Sequence, residues 1–138
     1  NGAIQTQAVC DYFPFSVPHP ELDTWQILDQ VTDGEAQLWE IQRELSQLQA
    51  EEEILYRPFQ TLSKGEQTKA LLAALFLRQG HFLLIDEPTN HLDVDAKDEL
   101  ARALKAYKGS VLLICHEPEF YEGFATRVVD CSEFCLRG

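Results

Sequence analysis

Asp86 and Glu87 stand side by side where the apolar run "FLLI", Phe82 to Ile85, comes to an end. His116 holds the same position after a second apolar run, "VLLIC", Val111 to Cys115. In an open parallel sheet, ligands sit beyond the carboxyl ends of the strands, so two such runs as neighbours bring all three groups to one spot. One carboxylate there can hold Mg²⁺, a hard ion that keeps its waters and needs few protein oxygens. The second can orient an attacking water, and the imidazole can bond a transferring phosphoryl group. Taken singly, each residue has a plainer reading: "DEP" is a polar strand end entering a turn, and His116 a solvated loop residue.

A second motif shifts the balance. "LSKGEQ", Leu62 to Gln67, opens a helix with Ser63 as N-cap and Glu66 three residues on, the pattern of a capping box. Gly65 in the first turn leaves backbone N–H groups uncovered, which suits close approach of an anion to the positive end of the helix. Capping and phosphate binding are compatible, and the glycine favours the second.

The elements that must position these groups follow from periodicity. A strand is expected over Ile4 to Phe13, broken by the three prolines of "PFSVPHP". Asp23 to about Leu55 reads as two helices separated at Asp33-Gly34. Trp25, Ile27, Leu28 and Val31 mark the first, and Leu38, Ile41, Leu45 and Leu48 the second. This acidic, glutamine-rich pair is expected to form a small helical subdomain. A helix over about Lys64 to Arg78 is apolar on every face, so it is expected to lie buried against a sheet. Then come a strand to Asp86, a helix from Val94 to Tyr107, a strand from Val111, a short helix near Glu119 and a strand at Arg127 to Cys131. Two apolar strands joined by one helix imply a right-handed parallel crossover, and the fold class is α/β with a mainly parallel sheet.

Composition limits the alternatives. The chain has 138 residues, and 23 acids against 11 bases give a formal charge of −12, which argues against DNA and generic phosphate-backbone binding. Cys10, Cys115, Cys131 and Cys135 are too scattered for a disulfide framework, and "CSEFC" has the wrong spacing for the common zinc pairs. Reduced thiols are expected. The longest apolar run, "ALLAALFL" from Ala70 to Leu77, is far too short to span a membrane. No signal-peptide pattern is present, so a soluble, cytoplasmic protein without membrane insertion is expected.

In order and spacing, "LSKGEQ", "FLLIDEPTNHLD" and "VLLICHE" resemble the signature motif, Walker B strand with D-loop, and switch histidine of the ATP-binding cassette (ABC) family. "LYRPFQTLSKGEQTK" fits too, and the resemblance covers nearly the whole chain. "NHLD" is most similar to the ABC-F branch: cytosolic tandem-cassette proteins without membrane domains that act on ribosomes. Within it, the chain resembles the antibiotic-resistance (ribosomal protection) group, its first cassette in particular. The resemblance implies a P-loop NTPase fold and ATP with Mg²⁺ as cofactors. It implies Asp86 as the metal-holding carboxylate, acting through water, Glu87 as the residue polarising the attacking water, and His116 as the γ-phosphate contact. Ser63 and Gly65 would meet the γ-phosphate held by a second, head-to-tail cassette, with Glu66 nearer its ribose and Asp93 at the cassette interface. The signature helix and the Asp86 site are therefore expected on separate faces. Residues 1–20 would form the Q-loop part of the core, 21–60 the helical subdomain, and 61–138 the rest of the core.

Departures from the family pattern matter as much. None of the seven glycines is followed by lysine, so no P-loop is present in this sequence. The chain is therefore expected to be the second part of a cassette, inactive by itself. Phe15 stands where the Q-loop glutamine should follow "YFP", and Cys115 and Glu117 replace the usual serine and aspartate beside the histidine. In the family's sheet, the P-loop strand lies between the switch strand and the strand near Arg127. Without it, self-association through bare edges is expected. Two other readings are the ATPase of a membrane transporter and a non-catalytic interaction fragment.

Overall fold

In the computed structural model, residues 9–78, 81–107, 109–122 and 125 are described. β1 (Val9–Phe13), β2 (His81–Asp86) and β3 (Val111–Ile114) form a sheet in the order β1-β2-β3, and both pairings are parallel. The register pairs Phe13 with Ile85 and Asp86 with Ile114, so the carboxyl ends of the strands finish nearly level. Residue types explain the central strand. Leu83 and Ile85 are fully buried and alternate with the half-exposed Leu84, as expected where one sheet face carries the core.

Parallel neighbours need crossovers. The excursion from β1 to β2 contains α1 (Thr24–Val31), α2 (Leu38–Gln47) and α3 (Lys64–Leu77), whereas α4 (Val94–Ala106) alone joins β2 to β3. The short α5 (Pro118–Tyr121) follows β3. Every residue of α3 from Ala70 to Leu75 is buried, which accounts for its all-round apolar sequence. α1 and α2 pack against this helix, and its leucines share one continuous cluster with Leu83 and Ile85 of β2. The buried α3 therefore has the helical pair as a cover as well as the sheet.

The second helix is shorter than its expected end near Leu55. After Leu48 the apolar stripe would require residues 51 or 52, and both are glutamate. The chain instead passes through Gln49 in the left-handed region (φ 57°) and a 3-10 turn, Glu52–Tyr56. That turn buries Ile54 and Leu55 completely. At the other end of α3, the Arg78 guanidinium reaches Asp11 of β1 at 2.9 Å and Asp33 after α1 at 3.3 Å. It thereby ties the helical pair to the sheet. The first residues of the expected Ile4 strand, the strand at Arg127 to Cys131, and Cys135 lie outside the described residues.

Candidate functional site

Glu87 is the sharpest local anomaly. Its backbone is left-handed (φ 52°, ψ 52°), and its N–H donates to the Ile114 carbonyl at 2.7 Å. The ladder between β2 and β3 thus runs one residue past Asp86 before the chain turns into the 3-10 turn Pro88–His91. His116 Nε2 lies 3.0 Å from Glu87 Oε2, an ion pair whenever the imidazole is protonated. That oxygen is buried and accepts no aligned hydrogen bond, while the His116 side chain is 86% exposed. A left-handed non-glycine backbone costs about 1–2 kcal/mol, and the buried Glu87 oxygen has only the exposed His116 imidazole beside it. Local strain of this kind clusters at functional sites.

Asp86 is held from the other side. The Tyr12 hydroxyl donates to its Oδ2 at 2.9 Å, and that bond to the carboxylate raises the Tyr12 pKa above its ordinary value. Tyr12 was not singled out from the sequence. The available signal was register: Tyr12 pairs with Leu84, so its side chain lies on the same sheet face as Asp86, one pleat away. Phe15, standing where the family resemblance expects glutamine, presents an apolar ring instead.

The sequence also understated Glu117. Its Oε1 accepts from Lys97 Nζ at 2.8 Å and its Oε2 from Thr89 Oγ1 at 3.0 Å. These two bonds hold the Glu117 carboxyl below its usual range, and the bond to Glu117 raises the Lys97 ammonium. Asp93 is exposed and caps α4 by accepting from the Ala96 N–H at 2.8 Å.

The start of α3 has a different character. Ser63 Oγ accepts from the Glu66 N–H at 3.1 Å, and Glu66 Oε1 accepts from the Ser63 N–H at 2.9 Å, which completes the capping box. A Cβ on Gly65 would lie 3.0 Å from the His91 carbonyl oxygen. Glycine here therefore permits close approach of the 3-10 turn within the same chain, a requirement beyond the anion access read from the sequence. The expected separation onto different faces holds only in part. A cleft of about 690 Å³ is lined by Lys64 and Gln67 of α3 together with Asp86, Glu87, Phe15 and Phe59. Ser63, Gly65 and Glu66 are outside this lining.

Among the described residues, no group of three or more His, Cys, Asp and Glu side chains could hold a metal ion alone. Mg²⁺ bound with phosphates and several waters needs only one or two carboxylates, and Tyr12 occupies just one oxygen of Asp86. The orphaned Glu87 Oε2 offers an acceptor for a water beside it. The donor set therefore fits a hydrated Mg²⁺ with a triphosphate. No helix among the described residues is long and apolar enough to cross a membrane.

Carboxylates at level strand tips stand where open parallel α/β sheets bind their ligands, and comparison with known proteins gives the fold. A dimeric bacterial ABC transporter cassette superposes with a TM-score of 0.70 at 16% identity, covering 83% of this chain and 55% of that one. The fold is thus the P-loop NTPase fold of ABC cassettes. A family model described as "AAA domain, putative AbiEii toxin, Type IV TA system" matches residues 24–121. The chain belongs to this family, as an ATP-binding cassette domain. YfmM of Bacillus subtilis (strain 168), an uncharacterized ABC transporter ATP-binding protein, is 53% identical over 76 residues, 55% of this chain and 15% of YfmM. The xylose import ATP-binding protein XylG of Pseudomonas savastanoi pv. phaseolicola is 36% identical over 120 residues, 85% of this chain and 23% of XylG. ABC transporter F family member 4 of Dictyostelium discoideum is 43% identical over 68 residues, 49% of this chain and 6% of that protein. The chain spans less than a quarter of each of these relatives.

Proposed function

We propose that this chain is the Walker B, D-loop and switch-histidine portion of an ATP-hydrolysing ABC cassette of the ABC-F type. The observation that carries the reading is the 3.0 Å approach of His116 to the orphaned oxygen of Glu87, next to Asp86. Glu87 polarises the attacking water, and His116 keeps that water and the γ-phosphate in line. Asp86 would hold Mg²⁺ through water, and the ion when bound would supply charge that neutralises the triphosphate. Ser63, Gly65, Glu66 and Asp93 serve the nucleotide shared with a second, head-to-tail cassette. The isolated 138 residues carry no P-loop lysine and are inactive without one, with their bare sheet edges free to self-associate. Residues 1–20 and 61–138 belong to the cassette core, and 21–60 to its helical subdomain.

"NHLD" and the F-family relative support the ABC-F assignment, with a cytoplasmic parent that uses cassette closure on the ribosome, in antibiotic resistance or translation. The long match to XylG favours a second reading, the ATPase of a membrane importer. The test extends the reading frame upstream through a Gly-Lys-Ser/Thr loop and measures turnover and ribosome co-sedimentation. Mg²⁺-dependent hydrolysis lost in Glu87→Gln, with ATP-dependent ribosome binding, is expected. Hydrolysis indifferent to Glu87→Gln overturns the catalytic reading. An adjoining permease frame with no ribosome binding overturns the ABC-F one.

A further inference from the structure

His116 has little of its own to hold it. Its side chain is 86% exposed, and among the described residues its one polar partner is Glu87. An exposed side chain on a short loop samples several rotamers, and a backbone that also moves widens the range its tip can reach. The loop from Ile114 to Pro118 is anchored instead through the next residue. Glu117 sends its two carboxylate oxygens to different segments: one to Lys97, one turn into α4, and one to Thr89 in the turn directly after Glu87. Thr89 is only 2% exposed, so no solvent competes for its hydroxyl. The Glu117 N–H is taken by Cys115 Sγ at 3.4 Å, and the Glu117 carbonyl accepts from Phe120 N–H at 2.9 Å, which starts α5. With the Glu87 N–H bonded to the Ile114 carbonyl, the segments bearing Glu87 and His116 are cross-linked on both sides of the imidazole.

We infer that Glu117 is a positioning residue: clamped by Lys97 and Thr89, it keeps the His116 imidazole against the Glu87 carboxylate. The inference rests on Glu87 and His116 forming the hydrolytic pair, and it assigns α4 a part in that pairing. Because Lys97 donates its own N–H to the Asp93 carbonyl, the clamp also joins the His116 loop to the start of α4.

The experiment follows the chain by NMR without nucleotide, comparing wild type with Lys97→Met, Lys97→Arg and Glu117→Gln. Lys97→Met removes the clamp at a partly exposed position and leaves Glu117 in place, so it covers the case in which Glu117→Gln fails to fold. The His116 amide order parameter is expected to fall from about 0.85 to below about 0.6 in Lys97→Met and Glu117→Gln. The cross-peak between the His116 ring and the Glu87 side chain should disappear with it, and Lys97→Arg should retain both. A lower unfolding midpoint with His116 order and cross-peak unchanged overturns the proposal, since Glu117 is then merely structural. Equal mobility in Lys97→Arg and Lys97→Met overturns it too, because the charge-assisted bond is then not what holds the loop. The readout needs no turnover. His116 mobile in Lys97→Met but ordered in wild type, with an extended protein that hydrolyses nothing, removes the function and leaves the clamp; His116 still ordered in Lys97→Met, beside Glu87-dependent hydrolysis, does the reverse.

Discussion

The start of α3 and the tips of β2 and β3 both carry motifs that the sequence marks as phosphate chemistry, yet the folded chain treats them in opposite ways. At Ser63 to Glu66 the capping box takes up Ser63 Oγ and Glu66 Oε1 as acceptors for local backbone N–H groups, and the missing Cβ of Gly65 is used by the His91 carbonyl. At Glu87 the fold leaves a buried carboxylate oxygen without a hydrogen bond, on a left-handed backbone. The first region is satisfied by itself, and its sequence would be explained by stability alone. The second is a local deficit held in place by its surroundings, and a ligand or water would relieve it. A motif is thus stronger evidence of function where the structure leaves it wanting than where the structure completes it.

This contrast can be broken by substitution. The largest effect belongs to Glu87→Gln in the upstream-extended protein, where steady-state hydrolysis should drop by about 10²–10⁴ with the unfolding midpoint almost unmoved. A turnover change under tenfold would make Glu87 as dispensable as a surface acid. Next is Gly65→Val. Its added atoms press on the His91 carbonyl and should cost about 1–3 kcal/mol in urea denaturation. Equal stability to wild type would mean that the close approach is not a constraint. Ser63→Ala removes the N-cap acceptor, and the same assay should register about 1 kcal/mol of loss. Glu87→Gly should move in the reverse direction, stabilising the chain by roughly 1 kcal/mol as the left-handed strain goes. A destabilised Glu87→Gly would erase the distinction between the two regions.

The clamp at Glu117 shows where sequence reading ran short. Glu117 entered the sequence reading only as a replacement for the usual aspartate beside His116, because one carboxylate beside another polar residue carries no periodic signal. Its partners are twenty and twenty-eight positions away, at Lys97 and Thr89, and only the folding of α4 against the sheet tip brings them within 3.0 Å. Tyr12 was missed for a similar reason: a tyrosine in an alternating strand reads as packing until the strand order is known. The capping box at Ser63, by contrast, was legible because both of its bonds span three residues.

By itself, the sequence determined the order of strands and helices from Val9 to Tyr121, the apolar content of β2 and α3, the cap at Ser63 and the cluster of candidate groups at Asp86, Glu87 and His116. These depend on period, on local spacing and on residue type, which survive reading in one dimension. Tertiary structure alone decided that Lys64 shares a cleft with Asp86, that Tyr12 and Glu117 anchor the candidate groups, and that one oxygen of Glu87 is left over. Those outcomes turn on distances between segments far apart in the chain, and such distances exist only once the sheet register and the α4 crossover are fixed.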